Sequence, residues 1–219
     1  MLIIIGLLLA ACAPTTKMGV VPDDVRDRMV PLFAKIQSCS QTDTGLYLHQ
    51  ADNVIAAWTD KTEVHITSGI LRYDDDTLSL IFAHELAHVK LEHVSRREAT
   101  SNAVTAALLA LDAIIPGAGV LNLIANPAAV NNYSKGQEFE ADTKAVDVCV
   151  SCLKMSKEQV LKIFTATVSG EGGFWSTHPS AADRIANVEN YLRISPRSLS
   201  QTAPAVSPLP GKGPETPAR

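Results

Sequence analysis

The stretch that decides the fold is an HExxH pattern, which reads His84-Glu85-Leu86-Ala87-His88. Residues four apart lie on one face of an α-helix, one turn apart, so both imidazoles can reach a single metal ion. Glu85 then lies beside that ion, where its carboxylate can take a proton from a metal-bound water. The pattern predicts a helix that binds zinc through its two histidines and uses Glu85 as a catalytic base.

The predicted helix begins after three aspartates at 74–76, which offer N-caps, and covers residues 77 to about 94. It is rich in Leu, Ala, Glu and Lys and contains no Gly or Pro. A continuous helix would turn His93 about 140° away from His88, at 100° per residue. His93 is therefore interpreted either as a surface residue or as a residue that supports the metal ligands without binding the metal.

The third metal ligand must come from elsewhere, because Leu91 and Val94 replace the Gly and His of the extended metzincin pattern. In zinc enzymes with two histidine ligands and one glutamate ligand, a second helix supplies the glutamate. Glu138 is the candidate for this third ligand here. Asp142 lies one turn further on the same helical face, where it can accept a hydrogen bond from a ligand imidazole, whereas Glu140 points elsewhere. The sequence thus predicts one zinc ion per chain, bound by the two motif histidines and Glu138.

The segments around this motif predict a small α+β domain that is mostly helical. Apolar residues at near-helical spacing indicate a helix from 22 to 36. Two short runs, 54–58 and 63–67, read as strands, and residues 59–62 form a plausible hairpin turn between them. The fold class is therefore α+β, with a small sheet beside the HExxH helix.

Composition limits the size and the partners of the protein. With 219 residues, of which 46% are hydrophobic and 19% charged, the chain can form one substantial core, and we assign residues 22–195 to a single catalytic domain. The formal net charge is −4 and there is no long run of Lys or Arg. Nucleic acid is therefore excluded as an expected partner.

The N-terminus has the pattern of a bacterial lipoprotein signal. Residues 2–11 form an apolar run too short to span a membrane, and the junction Leu9-Ala10-Ala11-Cys12 resembles a lipobox. We expect residues 1–11 to be a signal peptide, Cys12 to be lipidated and residues 12–21 to be a tether. The alternative is a frayed or buried N-terminal helix. The lipoprotein interpretation predicts an anchor in the outer membrane, facing the periplasm.

Three other cysteines, Cys39, Cys149 and Cys152, are interpreted as structural residues that are buried or disulfide-bonded. A redox motif or half of a zinc site at the CxxC pair is less consistent with the sequence, which has no second CxxC and no βαβ pattern. At least one disulfide is possible in an oxidising periplasm, and the pairing stays open.

Two further segments have distinctive compositions. Residues 103–130 are rich in Ala, Leu and Ile, and Pro116-Gly117-Ala118-Gly119 divides them into pieces too short to span a bilayer. This insertion is interpreted as a lid over the cleft, a contact with the membrane surface or an ordinary buried helical hairpin. Residues 196–219 are rich in Pro, Ser, Thr and Gly, which predicts a disordered tail.

The chain contains three motifs that occur in the same order as in the CAAX-protease and HtpX-like zinc metallopeptidases, peptidase family forty-eight, which it therefore resembles. The motifs are HELAH at 84–88, the ExxAD element at 138–142 and Ser-Thr-His-Pro at 176–179, which Arg184-Ile185 follows. The segment 67–71 is similar to the strand-to-helix entry of that family. The resemblance covers roughly residues 22–195 and is greatest to small periplasmic lipoprotein members.

The resemblance implies a gluzincin fold in which an edge strand of the small sheet, here within 54–67, pairs with an extended substrate. It also implies that His178 lies near the metal, where it stabilises the oxyanion or occupies the open zinc position in a resting state. A structural histidine in a turn is the alternative for His178. The implied substrates are unfolded or misassembled envelope proteins, with regulatory or outer-membrane assembly proteins as further partners. A chaperone-like assembly factor and a hydrolase of cell-wall peptides are the competing functions.

Overall fold

The computed structural model describes residues 21–115, 133–169, 178 and 181–195. The helices within these residues are α1 (Asp23–Ser40), α2 (Asp75–Lys90), α3 (His93–Asp112), α4 (Lys135–Asp147), α5 (Lys157–Val168) and α6 (Ala181–Ile194). The strands are β1 (Gly45–His49), β2 (Ala57–Thr59) and β3 (Glu63–Thr67), and two short turns of helix, Ser68–Arg72 and Val148–Cys152, complete the list. The predicted fold class, mostly helical α+β with a small sheet, is confirmed.

The sheet has the strand order β1-β3-β2, with β1 parallel to β3 and β2 antiparallel to it. Alternate residues of β1 and β3, such as Leu46 and Val64, are buried, because successive side chains of a strand point to opposite faces. The predicted strand at 63–67 has the predicted limits, but the strand predicted at 54–58 is formed by residues 57–59. Strand β1 was not predicted.

The later start of β2 has a local cause at Thr67. Its hydroxyl donates to the carbonyl oxygen of Val54 at 2.6 Å and accepts from the amide of Ala56 at 3.0 Å. The amide of Thr67 still donates to the carbonyl oxygen of Ala56 at 3.0 Å, so the backbone pairing with β3 ends there and the chain before it bends around the Thr67 side chain. The bend brings the backbone of residue 54 against Gly69, where an added Cβ would lie 1.9 Å from the Val54 oxygen. Only glycine fits at this close approach.

Helix α2 lies at the centre of the molecule. Twelve consecutive residues, 77–88, are buried, as expected for a helix that other elements surround on all sides. It packs against α1, α4, α5 and the sheet, and Phe82 meets Phe33 of α1 edge to face at 5.2 Å. The predicted cap is present: the side chain of Asp74 accepts a hydrogen bond from the amide of Thr77 at 2.8 Å.

Helix α2 ends earlier than predicted. It stops at Lys90, whereas the sequence predicted a helix to about residue 94, and α3 starts at His93 after two residues of turn. Glu92 has a φ of 55°, a left-handed conformation that is unfavourable for a residue with a side chain. The break changes the direction of the chain, and it is why His93 does not lie where a continuous helix would place it.

The cysteines are structural, as interpreted from the sequence, and the structure gives their pairing. Cys39 at the end of α1 is bonded to Cys152 after α4, across 113 residues of chain. Cys149 is a free, buried thiol, and burial raises its pKa to about 12, so it is protonated at neutral pH.

The far end of α3 is exposed. Leu109, Ile114 and Ile115 have 62%, 78% and 56% of their surface in solvent, so these apolar side chains of the insertion are exposed. No helix within the described residues is long and apolar enough to cross a membrane. The remainder of the insertion, the proposed signal peptide with Cys12 and the C-terminal tail lie outside the described residues.

Candidate metal centre

Four buried side chains converge beside α2. They are His84 and His88 of that helix, Glu138 of α4 and His178, and one ligand atom from each lies within 4.8 Å of all the others. Glu138 enters from the first turn of α4, where Ser134 and Gln137 form a capping box that fixes the start of the helix. The structure thus brings together the three residues predicted as ligands and adds His178 as a fourth donor.

The Nε2 atoms of the two motif histidines face one another at 3.0 Å. The carboxylate of Glu138 faces both, with Oε2 at 3.6 Å from Nε2 of His84 and Oε1 at 3.7 Å from Nε2 of His88. Metal ligands in this arrangement coordinate through Nε2, which leaves the Nδ1 atom of each imidazole for another partner.

The carboxylate that the sequence predicted as a partner for His84 lies next to it. Nδ1 of His84 lies 3.0 Å from Oδ1 of Asp142, one turn after Glu138 on α4. Asp142 is itself bound by Arg184 of α6, which donates from Nε at 2.8 Å and from Nη2 at 2.5 Å. Arg184 also contacts Oε2 of Glu138 at 3.1 Å, and all of these side chains are fully buried.

His88 contacts His93, and one of the two interpretations of His93 from the sequence is wrong. His93 is fully buried, so the interpretation as a surface residue is wrong, and its Nδ1 lies 2.8 Å from Nδ1 of His88. Nε2 of His93 contacts Glu140 at 3.0 Å, and Glu140 points away from the four converging groups, as predicted. Tyr133 covers the ring of His88, with the ring centroids 3.7 Å apart, and was not identified from the sequence.

Glu85 is fully buried on the adjoining face of α2, and among the described residues no hydrogen-bond donor reaches either of its carboxylate oxygens. His178 lies close to it, with Nε2 3.6 Å from Oε1 of Glu85. Burial raises the pKa of Glu85 to about 7. A carboxyl group with such a pKa, beside a possible metal site, is suited to exchange protons near neutral pH.

His178 contacts Glu138 through Nδ1, at 2.9 Å from Oε1 and 3.0 Å from Oε2, and it is almost completely buried. Its side chain therefore lies beside the predicted metal ligands, and its catalytic role stays a prediction beside the alternative of a structural histidine in a turn. Its neighbours in the Ser-Thr-His-Pro element lie outside the described residues.

The electrostatics favour a cation at this position. Burial lowers the pKa of His84 and of His88 well below the ordinary value, so both imidazoles are neutral and can act as ligands. Burial alone would raise the pKa of Glu138, but the hydrogen bond from His178 and the nearby positive charges lower it. Two nitrogen donors, one carboxylate and a further histidine match the donor set that zinc prefers.

Charge balance provides a second test of this fit. Three buried carboxyl groups, those of Glu85, Glu138 and Asp142, surround the centre, and Arg184 is the buried guanidinium among them. A divalent cation would offset the remaining negative charge, and its own field would favour the ionised form of Glu85. The residues present therefore fit a zinc ion.

Two cavities lie on opposite sides of α2. One, of about 320 Å³, is lined by His88, by Asp60 and Lys61 of the β2–β3 turn and by the start of α3, so it reaches one of the predicted metal ligands. The other, of about 570 Å³, is lined by the disulfide and by Ala83, Leu86 and Ala87. The larger cavity lies away from the four converging groups, and substrate access is more consistent with the smaller one.

A buried HExxH helix with a glutamate from a second helix is typical of metallopeptidases that bind zinc through two histidines and one glutamate. A family model described as Peptidase family M48 matches residues 23–192. The chain belongs to this family, and the resemblance stated from the motifs is confirmed at the family level. A search of the curated proteins gave no match.

Proposed function

We propose that the protein is a zinc-dependent endopeptidase that hydrolyses peptide bonds in misfolded or misassembled cell-envelope proteins. The observation that carries the proposal is the buried carboxylate of Glu85, which has no hydrogen-bond donor among the described residues and lies beside four converging metal donors. Membership of a metallopeptidase family supports the reaction class. Zinc is the ion that this donor set favours.

Zinc bound there would polarise the scissile carbonyl group and lower the pKa of a bound water. Glu85 would accept a proton from the attacking water and later deliver it to the leaving amine. His178 donates to Glu138 through Nδ1, and in its doubly protonated form it would also donate a hydrogen bond from Nε2 to the oxyanion of the tetrahedral intermediate. His84, His88 and Glu138 would bind the ion.

The shape of the site favours an extended polypeptide as substrate. Strand β2 is at one edge of the sheet, packs against α2 and has no further strand beside it in the described parts of the chain. A peptide that adds to this edge would be in an extended conformation, which an unfolded segment adopts readily. Trp58 of β2 is 41% exposed and offers an apolar contact for substrate side chains.

The envelope location is supported by two independent features. A disulfide between Cys39 and Cys152 is typical of an oxidising compartment such as the periplasm. The lipobox-like sequence that ends at Cys12 would anchor the protein in a membrane, where misassembled outer-membrane proteins are available as substrates.

A second candidate function is that of a chaperone-like assembly factor with little or latent proteolysis. The exposed apolar side chains at the end of α3, including Leu109 and Ile114, favour it because such a surface can bind unfolded clients or the membrane. The lid and membrane-contact interpretations of the insertion stay proposals of the same kind.

The test compares the full chain with its Glu85→Gln variant for zinc content and for digestion of casein and of an unfolded porin. The proposal predicts about one zinc per chain in both proteins and cleavage by the wild type alone. Zinc binding without cleavage by either protein would favour the assembly-factor function. Absence of zinc from both proteins would contradict the metallopeptidase mechanism.

A further inference from the structure

His88 contacts a second buried histidine through the nitrogen that faces away from the metal. Its Nε2 faces His84 and Glu138, so this atom is the one positioned to bind the ion. Its Nδ1 lies 2.8 Å from Nδ1 of His93, within hydrogen-bond distance. A contact between two ring nitrogens is a hydrogen bond only if one of them carries a proton and the other does not.

The contacts of both rings define which nitrogen carries each proton. When His88 is neutral and coordinates through Nε2, its proton is on Nδ1, and it donates to Nδ1 of His93. His93 must then carry its own proton on Nε2, which lies 3.0 Å from Oε2 of Glu140 and donates to it. Every nitrogen of the two rings then has a suitable partner, and the carboxylate is the final acceptor.

This network joins three helices. His93 is the first residue of α3, and its carbonyl oxygen accepts a hydrogen bond from the side chain of Gln137 in α4 at 3.2 Å. Arg96, one turn later in α3, contacts the same Oε2 atom of Glu140 at 3.1 Å. The position of α3 relative to α4 therefore determines whether His93 and Glu140 can contact each other.

We propose that His93 and Glu140 are positioning residues that fix the tautomer and the orientation of His88, and that they make the metal affinity of the site depend on the placement of α3. The proposal rests on the proposed role of His88 as a zinc ligand. Outer partners of this kind typically change metal affinity by about 10- to 100-fold when they are removed.

Zinc dissociation constants of the full chain, obtained by competition with a chromophoric chelator, provide the test. Glu140→Ala should weaken zinc binding roughly tenfold, because Nε2 of His93 loses its acceptor. Glu140→Gln should restore most of the affinity, since its amide oxygen can still accept from His93. Arg96→Gln is the matched control, which alters the exposed partner of Glu140 and leaves the contacts of His93 in place.

The visible absorption spectrum of bound Co²⁺ gives a second readout, because it reports ligand geometry directly. The proposal predicts an altered spectrum for Glu140→Ala and a spectrum like that of the wild type for Glu140→Gln. Thermal unfolding of the metal-free proteins separates this role from a purely structural one. A positioning role predicts that Glu140→Ala loses zinc affinity while its metal-free Tm stays close to that of the wild type.

Two results would overturn the positioning role and leave the proposed peptidase function intact. One is unchanged zinc affinity and an unchanged Co²⁺ spectrum in Glu140→Ala. The other is an equal loss of affinity in the Ala and Gln variants together with a lowered metal-free Tm in both. Failure of the wild type to bind zinc would overturn both proposals, so the two failures are distinguishable.

Discussion

The two histidines of the HExxH helix are supported in opposite ways. His84 contacts Asp142, which Arg184 binds through close charge-assisted hydrogen bonds, and both of these side chains are completely buried. His88 contacts His93, which in turn contacts Glu140, and the carboxylate side chain of Glu140 is 53% exposed. A buried charge pair must be complete to be tolerated, whereas an exposed one is screened by water, so the two sides should respond differently to substitution.

Replacement of Arg184 by Met should have the largest effect of the changes considered. It leaves the buried carboxylates of Asp142 and Glu138 without their guanidinium partner, which typically costs about 3–5 kcal/mol of unfolding free energy. Urea denaturation of the metal-free protein at neutral pH measures this loss. Arg96→Met is the matched change on the other side, where less than about 1 kcal/mol is expected. Similar losses in both variants would show that burial does not distinguish the two supports.

Glu85 lies between the two histidines and has neither kind of support, so its ionisation should destabilise the metal-free protein. Its pKa is raised to about 7 from the ordinary value of 4.5, so between these values the folded state binds more protons than the unfolded state. The free energy of unfolding then falls as pH rises through this window. Relative to Glu85→Gln, the wild type should lose about 2–3 kcal/mol between about pH 5 and pH 8.

Denaturation of both metal-free proteins across this range, in the presence of a chelator, measures the difference. Saturating zinc is the control, because the charge of the ion favours the ionised carboxylate and should shrink the pH dependence. A constant difference between wild type and variant across the range would show that Glu85 titrates as it does in the unfolded chain.

Conservative amide substitutions should separate the two supports by metal affinity. Asp142→Asn retains an acceptor for His84 but removes the buried negative charge beside Arg184, so zinc affinity should fall roughly 10- to 100-fold. Glu140→Gln, at the exposed end of the other support, should change affinity by less than about threefold. Competition with a chelator measures both zinc affinities. A larger loss of affinity in Glu140→Gln than in Asp142→Asn would contradict the predicted difference between the two supports.

The smallest effect is expected at the turn that separates the supports. Glu92 has a left-handed backbone, which glycine adopts without steric cost, so Glu92→Gly should raise the unfolding free energy by up to about 1 kcal/mol. Glu92→Ala keeps the strain and should change it by less than about 0.5 kcal/mol. Thermal unfolding of the three proteins measures the order. A destabilised glycine variant would mean that the Glu92 side chain contributes more than its backbone costs.

The same contrast explains which parts of the site the sequence could predict. Asp74, His84 and Asp142 lie in regular local patterns: a cap before a helix, and side chains one turn apart on a shared face. Spacing, together with the ligand pattern of two histidines and one glutamate, therefore predicted Asp142 beside His84. The support of His88 depends on the break at Glu92, where no Gly or Pro marks the end of the helix, and tertiary contacts determine the turn.

Long-range partners were similarly hidden. Arg184 was noted only within a motif, and its contacts with α4 come from the packing of α6, which periodicity does not reveal. The bond between Cys39 and Cys152 links positions too far apart for a local signal. Strand β1 is five residues long and pairs in parallel with a strand that follows β2 in the chain, so no hairpin signal marks it.

The disulfide between Cys39 and Cys152 closes a covalent loop of the chain that contains α2 and α3. The two histidines of the HExxH motif and Glu138 all lie within this loop. A peptide bond cut anywhere within that loop, for example on the exposed surface of α3, would leave the two fragments joined through sulfur. Autolysis at such a position would pass unnoticed on a non-reducing gel and separate into two bands only after reduction. The HExxH helix and its glutamate would stay tethered to each other in the nicked protein.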